Sequence, residues 1–420
     1  MSADRRPLHE RVAAALDGAG DLTGAALVAH VERAYADDPE VAAEVRALMG
    51  FAGVVPVLDN AHLASAARAM VERAHDEAAS RSSAEAARGA GGSHPLPQTI
   101  GPYRVVRVVG EGGMGVVYEA EQQHPRRRVA VKVIAPGLAS RAAAARFRNE
   151  AQILGTLKHP GVAQVFEAGQ DGPTGSAFLA MEFVEGPGLL EFSRSRGLSP
   201  RAVADLVARV CDAVHHAHQK GVIHRDLKPS NVLVETLADG TPQPKVLDFG
   251  VAKLLRAEAS GATLALDAGR IVGTLGYMSP EALEGRPELV DTRSDVYSLG
   301  VILYELLAGE PPIDVRGLSI TAAADRVRND APPALDRPGG VVSRDLDAIA
   351  RQALAKEPER RYASAAELAA DLRRFLADQP VLARGPGTLY AARKFARRNA
   401  GLTAAAGVAL ASLLGALVYS

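Results

Sequence analysis

The sequence predicts an α+β fold, with a small sheet first and a larger helical part after it. Valine-rich alternation runs through Tyr103–Val109, Val116–Glu121 and Arg128–Ile134, the period-two pattern of strands. Beyond them, apolar patterns at helical spacing continue to about residue 377, punctuated by glycine and proline. Strands followed by helices argue for segregated layers rather than βαβ units.

The flanks differ in character. Residues 1–78 are rich in Ala, Val, Leu, Glu and Arg, with Val12, Leu16, Leu27, Val31, Val41, Val45 and Leu48 at amphipathic helical spacing. Asp37-Asp38-Pro39-Glu40 reads as a helix start, an acidic cap followed by proline in the first turn. Residues 79–100 turn Ala/Ser/Gly-rich, as a flexible linker does. Residues 378–399 form a basic segment that contains Arg393, Lys394, Arg397 and Arg398. Residues 400–420 carry no charge, which is long enough for a helix across a bilayer. The basic flank would mark its cytoplasmic side; a buried or peripheral helix is the alternative.

Composition excludes some classes. Lys and Arg number 48 against 49 Asp and Glu, so no global basic excess points to nucleic acid. The single cysteine, Cys211, rules out an internal disulfide framework and reads as a buried structural thiol. The start, MSADRRPLHE, lacks the apolar run of a secretory signal, so most of the chain is expected in the cytoplasm.

Three segments carry chemistry. In the run Gly110-Glu111-Gly112-Gly113-Met114-Gly115-Val116-Val117 the glycines follow the predicted strand that ends at Val109 and precede the one that opens at Val116. Glycines let backbone N–H groups approach phosphate. A dinucleotide fingerprint needs a helix next; the β-prone Val116-Val117-Tyr118 argues instead for a hairpin lying over a nucleotide. Next, Val129-Ala130-Val131-Lys132 places Lys132 and Ala130 on one face of a strand. A lysine there is costly unless paired, and Glu150 on the following predicted helix is the expected partner. Finally, His224-Arg225-Asp226-Leu227-Lys228-Pro229-Ser230-Asn231 and Asp248-Phe249-Gly250 supply carboxylates and an amide. Asp226 suits a group that orients and deprotonates an attacking hydroxyl. Asn231 and Asp248 suit a cation that takes few protein oxygens, as Mg²⁺ does.

Together these segments resemble the eukaryotic-type (Hanks-type) serine/threonine protein kinases, over about residues 101–377. Ser279-Pro280-Glu281 stands where that family usually has Ala-Pro-Glu, a mild departure. The resemblance implies a bilobal protein kinase fold that uses Mg-ATP to phosphorylate protein Ser/Thr hydroxyls. It implies catalytic roles for Asp226, Lys228, Lys132 and Glu150, and metal roles for Asn231 and Asp248. It places Val117, Ala130 and Leu233 around the adenine, Met181 at the gatekeeper position, and backbone groups of Glu182 and Val184 on the adenine edge. It also implies pairing of Glu281 with Arg361, and support of the catalytic loop by Asp295. Lys228, two residues after Asp226, resembles the serine/threonine rather than the tyrosine subgroup.

Ser260 and Thr263 lie in the Gly/Ala-rich stretch Val251–Val272, and Arg225 before Asp226 can pair with a phosphorylated residue there. Autophosphorylation at Thr263 or Ser260 is therefore expected, with a homodimer as its vehicle, and a mobile polar loop is the alternative. The layout resembles bacterial kinases with a cytoplasmic catalytic domain and one span of the cytoplasmic membrane. A non-catalytic scaffold and a small-molecule phosphotransferase are the competing readings. The first is disfavoured by the complete set of reactive residues, the second by the stretch from Asp248 to Glu281. Thr236–Pro244 lengthens the connection before Asp248, and Asp239-Gly240 predicts a hairpin turn in it.

Overall fold

The computed structural model describes residues 96–399 apart from 113–114, 135–150, 173–174, 250–273, 285–288, 336–341 and 386, with residue 401 and isolated positions between 29 and 41. Contacts divide the chain into two compact units. One draws on Met1–Val184, Asp248–Val290 and Val315–Asp330, the other on Glu185–Leu247, Asp291–Asp314 and Ala331–Ser420.

The first unit is built on one antiparallel sheet. Its strands are β1 (Thr99–Ile100), β2 (Tyr103–Gly112), β3 (Gly115–Gln122), β4 (Arg127–Ile134), β5 (Val165–Gln170) and β6 (Ala177–Glu182), in the order β1-β2-β3-β4-β6-β5. Alternation assigns its two faces. Ile100, Tyr103, Ala120, Val129, Val131, Phe178 and Ala180 form the core on one side. Tyr103 meets Phe178 edge-on at 5.8 Å and donates its hydroxyl to Glu167 Oε2 at 2.6 Å. The opposite face carries Val117, Ala130, Lys132 and Met181, which are linked by the pairings Val117↔Lys132 and Ala130↔Met181.

Strand β2 runs on through the glycines to Gly112, three residues past the predicted end at Val109, and Gly112 pairs with Gly115. The glycine run is therefore a hairpin. Its β2 arm shows register shifts at Val105/Arg107 and Val108/Gly110, the irregularity that bulges produce. Strand β1 overlaps the end of the segment read as linker. Thr99 pairs with Arg104 there and Gln98 O accepts Val105 N–H, so sheet pairing includes residues before 100.

The second unit is mainly helical. Its helices are α1 (Leu189–Arg196), α2 (Pro200–Gln219), α3 (Thr292–Ala308), α4 (Arg344–Ala353), α5 (Ala365–Leu376) and α6 (Thr388–Arg398). Ser199 caps α2 by accepting Ala202 N–H, with Pro200 at the first helical position. Val203, Leu206, Val207, Val210, Cys211, Val214 and Ala217 form its buried stripe. Cys211 is fully buried, as expected, and burial pushes its thiol up and keeps it protonated. The strands β7 (Val232–Thr236) and β8 (Pro242–Val246) form a hairpin whose turn matches the Asp239-Gly240 prediction. Gly240 has φ +82° and Asp239 Oδ1 accepts Thr241 N–H at 2.8 Å. At Gly186, a Cβ would lie 2.0 Å from the Val234 carbonyl oxygen, so only glycine lets these backbones approach.

The basic segment 378–399 is docked onto this unit. Asp345 on α4 accepts Arg384 Nη1 at 2.9 Å, Tyr390 Oη–H at 3.0 Å and Lys394 Nζ at 2.7 Å. Burial alone would raise the Asp345 carboxyl, but hydrogen bonds from Lys394 and Arg384 outweigh it and hold the group below the usual carboxylate range.

Two other expectations fall mostly outside the described residues. In the region 1–78, residues 29–31 and 33–35 are helical or turn, and Val31 and Val41 are buried. Asp38 Oδ1 accepts Val41 N–H at 3.5 Å, as a cap at the predicted start would. Of 400–420, only Gly401 is described. Among the described residues, no helix is long and apolar enough to cross a membrane.

Candidate active site

The first unit presents a lysine–carboxylate pair. Val129 and Val131 turn into the sheet core, so Lys132 emerges on the other face, only 7% exposed. Its Nζ lies 2.7 Å from Asp248 Oδ2. Burial makes an unpaired ammonium costly, and Asp248 meets that demand. Asp248 adopts φ +56°, a left-handed conformation uncommon outside glycine. Beside it, Phe249 closes an apolar recess with Leu154, Leu157, Leu179 and Met181. Glu150, the partner expected for Lys132, lies outside the described residues, as do Gly113, Met114, Ser260 and Thr263.

The rest of the nucleotide-binding set is placed as follows. Val109 is exposed on β2 with Gly110 and Glu111 after it, and Val116 and Val117 are half-buried on β3. Glu182 ends β6; its N–H donates to Gln164 O at 2.8 Å and its side chain accepts Gln164 N–H at 3.2 Å. Val184 is buried two residues on. In the second unit, Leu233 on β7 bridges to Gly188 and pairs with Lys245.

The second unit holds the catalytic-loop residues in a tight constellation. Asp226 Oδ2 accepts Lys228 Nζ at 3.0 Å and Asn231 Nδ2 at 3.2 Å. Asn231 Nδ2 also donates to the Asp226 carbonyl at 2.7 Å, which closes the loop on itself. A short 3₁₀ turn, Pro229–Asn231, brings Asn231 round to do this. Asp226 Oδ1 is buried and has no hydrogen-bond partner among the described residues. Nearly all buried polar atoms are satisfied, so this one demands an explanation. It is an acceptor held ready on a carboxylate whose other oxygen is fully engaged.

A second layer holds the loop. His224 is completely buried, and its Nε2 lies 2.9 Å from the Leu247 carbonyl. A carbonyl only accepts, so Nε2 carries the proton and Nδ1 accepts the Asp226 N–H at 3.3 Å. Asp295 on α3, also completely buried, accepts His224 N–H at 2.8 Å, Arg225 N–H at 3.0 Å and His218 Nε2–H at 2.7 Å. Burial would raise its carboxyl, yet the hydrogen bond from His218 and the adjacent His218 and His224 rings lower it. Arg225 takes φ +65°, and its N–H is fixed by Asp295. The expected support of the loop by Asp295 is visible in these distances.

His218 was not singled out from the sequence, and His224 entered only as the first residue of the run His224–Asn231. Their partners lie 77 and 71 residues away, on α3. Only His224, adjacent to Arg225-Asp226, gave a hint. Arg361 is buried, donates to the carbonyls of Ala355, Arg293 and Lys356, and stacks over Tyr297 at 5.1 Å. Glu281 is also buried, on the turn Glu281–Glu284. Among the described residues, no cluster of three or more His, Cys, Asp or Glu could hold a metal alone.

A sheet with a glycine hairpin and a buried lysine, and a helical unit with this Asp226 loop, define a protein kinase. The Protein kinase domain family matches residues 103–372, and the chain belongs to it. It is 38% identical over 288 residues to serine/threonine-protein kinase PknB of Mycobacterium leprae, covering 68% of this chain and 44% of that protein. It is 39% identical over 282 residues to PknB of Mycobacterium tuberculosis, covering 66% and 43%. The chain thus spans less than half the length of these curated relatives. The crystal structure of the Mycobacterium tuberculosis PknI kinase domain superposes with a TM-score of 0.51 at 27% identity, over 68% of this chain and 99% of that one.

Proposed function

We propose that this chain is a bacterial serine/threonine protein kinase, transferring the γ-phosphoryl group of Mg-ATP to protein hydroxyls, with its catalytic domain over residues 101–377. The Asp226 carboxylate carries this reading: two donors hold Oδ2 while Oδ1 has no hydrogen-bond partner among the described residues. In this reading Oδ1 accepts the proton of a substrate hydroxyl. The hydroxyl oxygen then bonds to the γ-phosphorus, the bond to the bridging oxygen breaks, and ADP leaves. Lys228 stabilises negative charge on the moving phosphoryl group.

The donor set suits Mg²⁺. Asn231 commits its amide nitrogen to Asp226, which leaves its amide oxygen for a cation. Asp248 engages Lys132 through Oδ2, which leaves Oδ1. One carboxylate and one amide oxygen are what a cation that keeps phosphate and water ligands needs. Bound Mg²⁺ supplies charge neutralisation to the phosphates. Lys132 shares that task, with Glu150 proposed as its partner once Asp248 turns to the cation. The face with Val117, Ala130 and Met181, with the backbone of Glu182 and Val184, supplies apolar walls and a polar edge for the adenine; Leu233 keeps the adenine role that the resemblance implies. Val109 and the hairpin Gly110–Val117 cover the phosphates.

Residues 400–420 are proposed to cross the cytoplasmic membrane with the kinase on the cytoplasmic side, because 21 uncharged residues follow a basic segment. Autophosphorylation at Thr263 or Ser260, in a homodimer, completes the reading.

Incubation with Mg-ATP and a generic protein substrate puts label on serine and threonine. Label on tyrosine alone, or none, overturns the assignment. Lys132→Met lowers transfer by about 10²-fold or more, the scale of losing one charge-stabilising group. The same change alters unfolding free energy by less than about 2 kcal/mol, because the partly exposed Asp248 carboxylate is resolvated. Transfer at the parent rate in this variant removes Lys132 from the mechanism.

A further inference from the structure

Helix α6 is turned inside out. Among its described side chains the buried one is a lysine: Lys394 is 8% exposed, bound to Asp345 at 2.7 Å, with Asp378 at 3.7 Å. Tyr390, one turn earlier on the same face, donates to Asp345 and accepts Val381 N–H at 3.0 Å. The solvent side instead carries Leu389, 84% exposed, and Phe395, 52% exposed, with exposed Ala392 between them. Arg393 and Arg398 are exposed too. A surface helix of a globular protein has the reverse polarity. Two contacts from α6 to one buried carboxylate, from the Lys394 ammonium and the Tyr390 hydroxyl, fix this orientation, so the apolar face is presented rather than merely left over.

We propose that the Leu389–Phe395 face of α6 lies in the headgroup region of an anionic bilayer, with Arg393 and Arg398 on lipid phosphates. Charge complementarity favours this occupant: interfacial helices pair an apolar face with basic residues, and each basic residue near an anionic surface adds about fivefold to partitioning. Position favours it as well, since the uncharged run 400–420 begins two residues after Arg398. The inference rests on the reading that this run enters the membrane. Its consequence is orientation: the Asp345 network ties the helical unit to a helix lying on the bilayer, so the unit faces the membrane in a set attitude.

The chain has no tryptophan, so Phe395→Trp gives a single local reporter in the full-length protein. The protein is reconstituted into vesicles of phosphatidylcholine, alone or mixed with phosphatidylglycerol. In the mixed vesicles, emission shifts to shorter wavelength and is quenched by lipids brominated near the headgroup. Adding Arg393→Glu and Arg398→Glu removes both effects while the chain still floats with the vesicles and keeps its kinase activity. High salt weakens both effects in the parent reporter. Flotation with a water-exposed tryptophan, or quenching unchanged by the two glutamates, overturns the docking and leaves the membrane span standing. Absence of flotation overturns both. A blue-shifted tryptophan without vesicles shows the face covered by a second copy or by the chain itself, and also overturns the docking.

Discussion

Replacing Asp226 with asparagine lowers phosphoryl transfer by about 10²–10⁴-fold, the range of a general base, while nucleotide affinity is unchanged. Asparagine keeps the shape of the carboxylate. Its amide oxygen can accept Lys228 and Asn231 as Oδ2 does now, at 3.0 and 3.2 Å. Its NH₂ then falls at the position of the unbonded Oδ1. The loop stays folded, but an acceptor aimed at the substrate hydroxyl becomes a donor. Initial rates with a peptide substrate, alongside calorimetric titration of ATP, separate the two quantities. Transfer within about tenfold of the parent shows that proton acceptance by Asp226 is not needed. Lost nucleotide binding shows instead that the change disturbed the loop.

How much of this was legible in the sequence follows from the range of each interaction. The sheet was readable because strand alternation is local: Val129 and Val131 on one face force Lys132 onto the other. The glycine hairpin was readable because β-prone residues follow Gly115. Strand β2 nonetheless extends through Gly112, since pairing with Gly115 overrides the weak strand preference of glycine. Strands β5 and β6 went unpredicted, as β6 is buried at five of six positions and lacks alternation. Within the loop, Asp226, Lys228 and Asn231 lie within six residues, so their spacing was informative. Nothing local announced that His218 and the backbone of His224 and Arg225 converge on Asp295. Nor did composition show that a basic segment would bury Lys394 against Asp345, because a lysine in such a run is ordinarily solvated.

Asp295→Ala removes the fold of the helical unit rather than one step of the reaction. Three donors now point at this carboxylate in a completely buried site: His224 N–H, Arg225 N–H and His218 Nε2–H. Leaving a buried donor unsatisfied costs about 1–3 kcal/mol. Three such losses fall within the whole stability of an ordinary domain, about 5–15 kcal/mol. Asp295→Asn is milder. One of its two ends becomes an NH₂, so at least one donor faces another donor, at about 1–3 kcal/mol. The Arg225 backbone, at φ +65°, then loses part of what holds it, and the rate falls through displacement of Asp226 next to it. The pH dependence gives an independent signature. The folded carboxyl lies below its ordinary value, so its contribution is complete above about pH 4, the unfolded carboxylate range. It is lost as pH falls through the lowered folded value. Denaturant unfolding of parent and Asp295→Asn therefore shows a constant gap at neutral pH that narrows only in acid. A gap that stays constant into strong acid shows that the charge on Asp295 is immaterial. Equal midpoints for parent and Asp295→Ala at neutral pH show that the four-way junction of His218, His224, Arg225 and Asp295 contributes nothing to holding the catalytic loop.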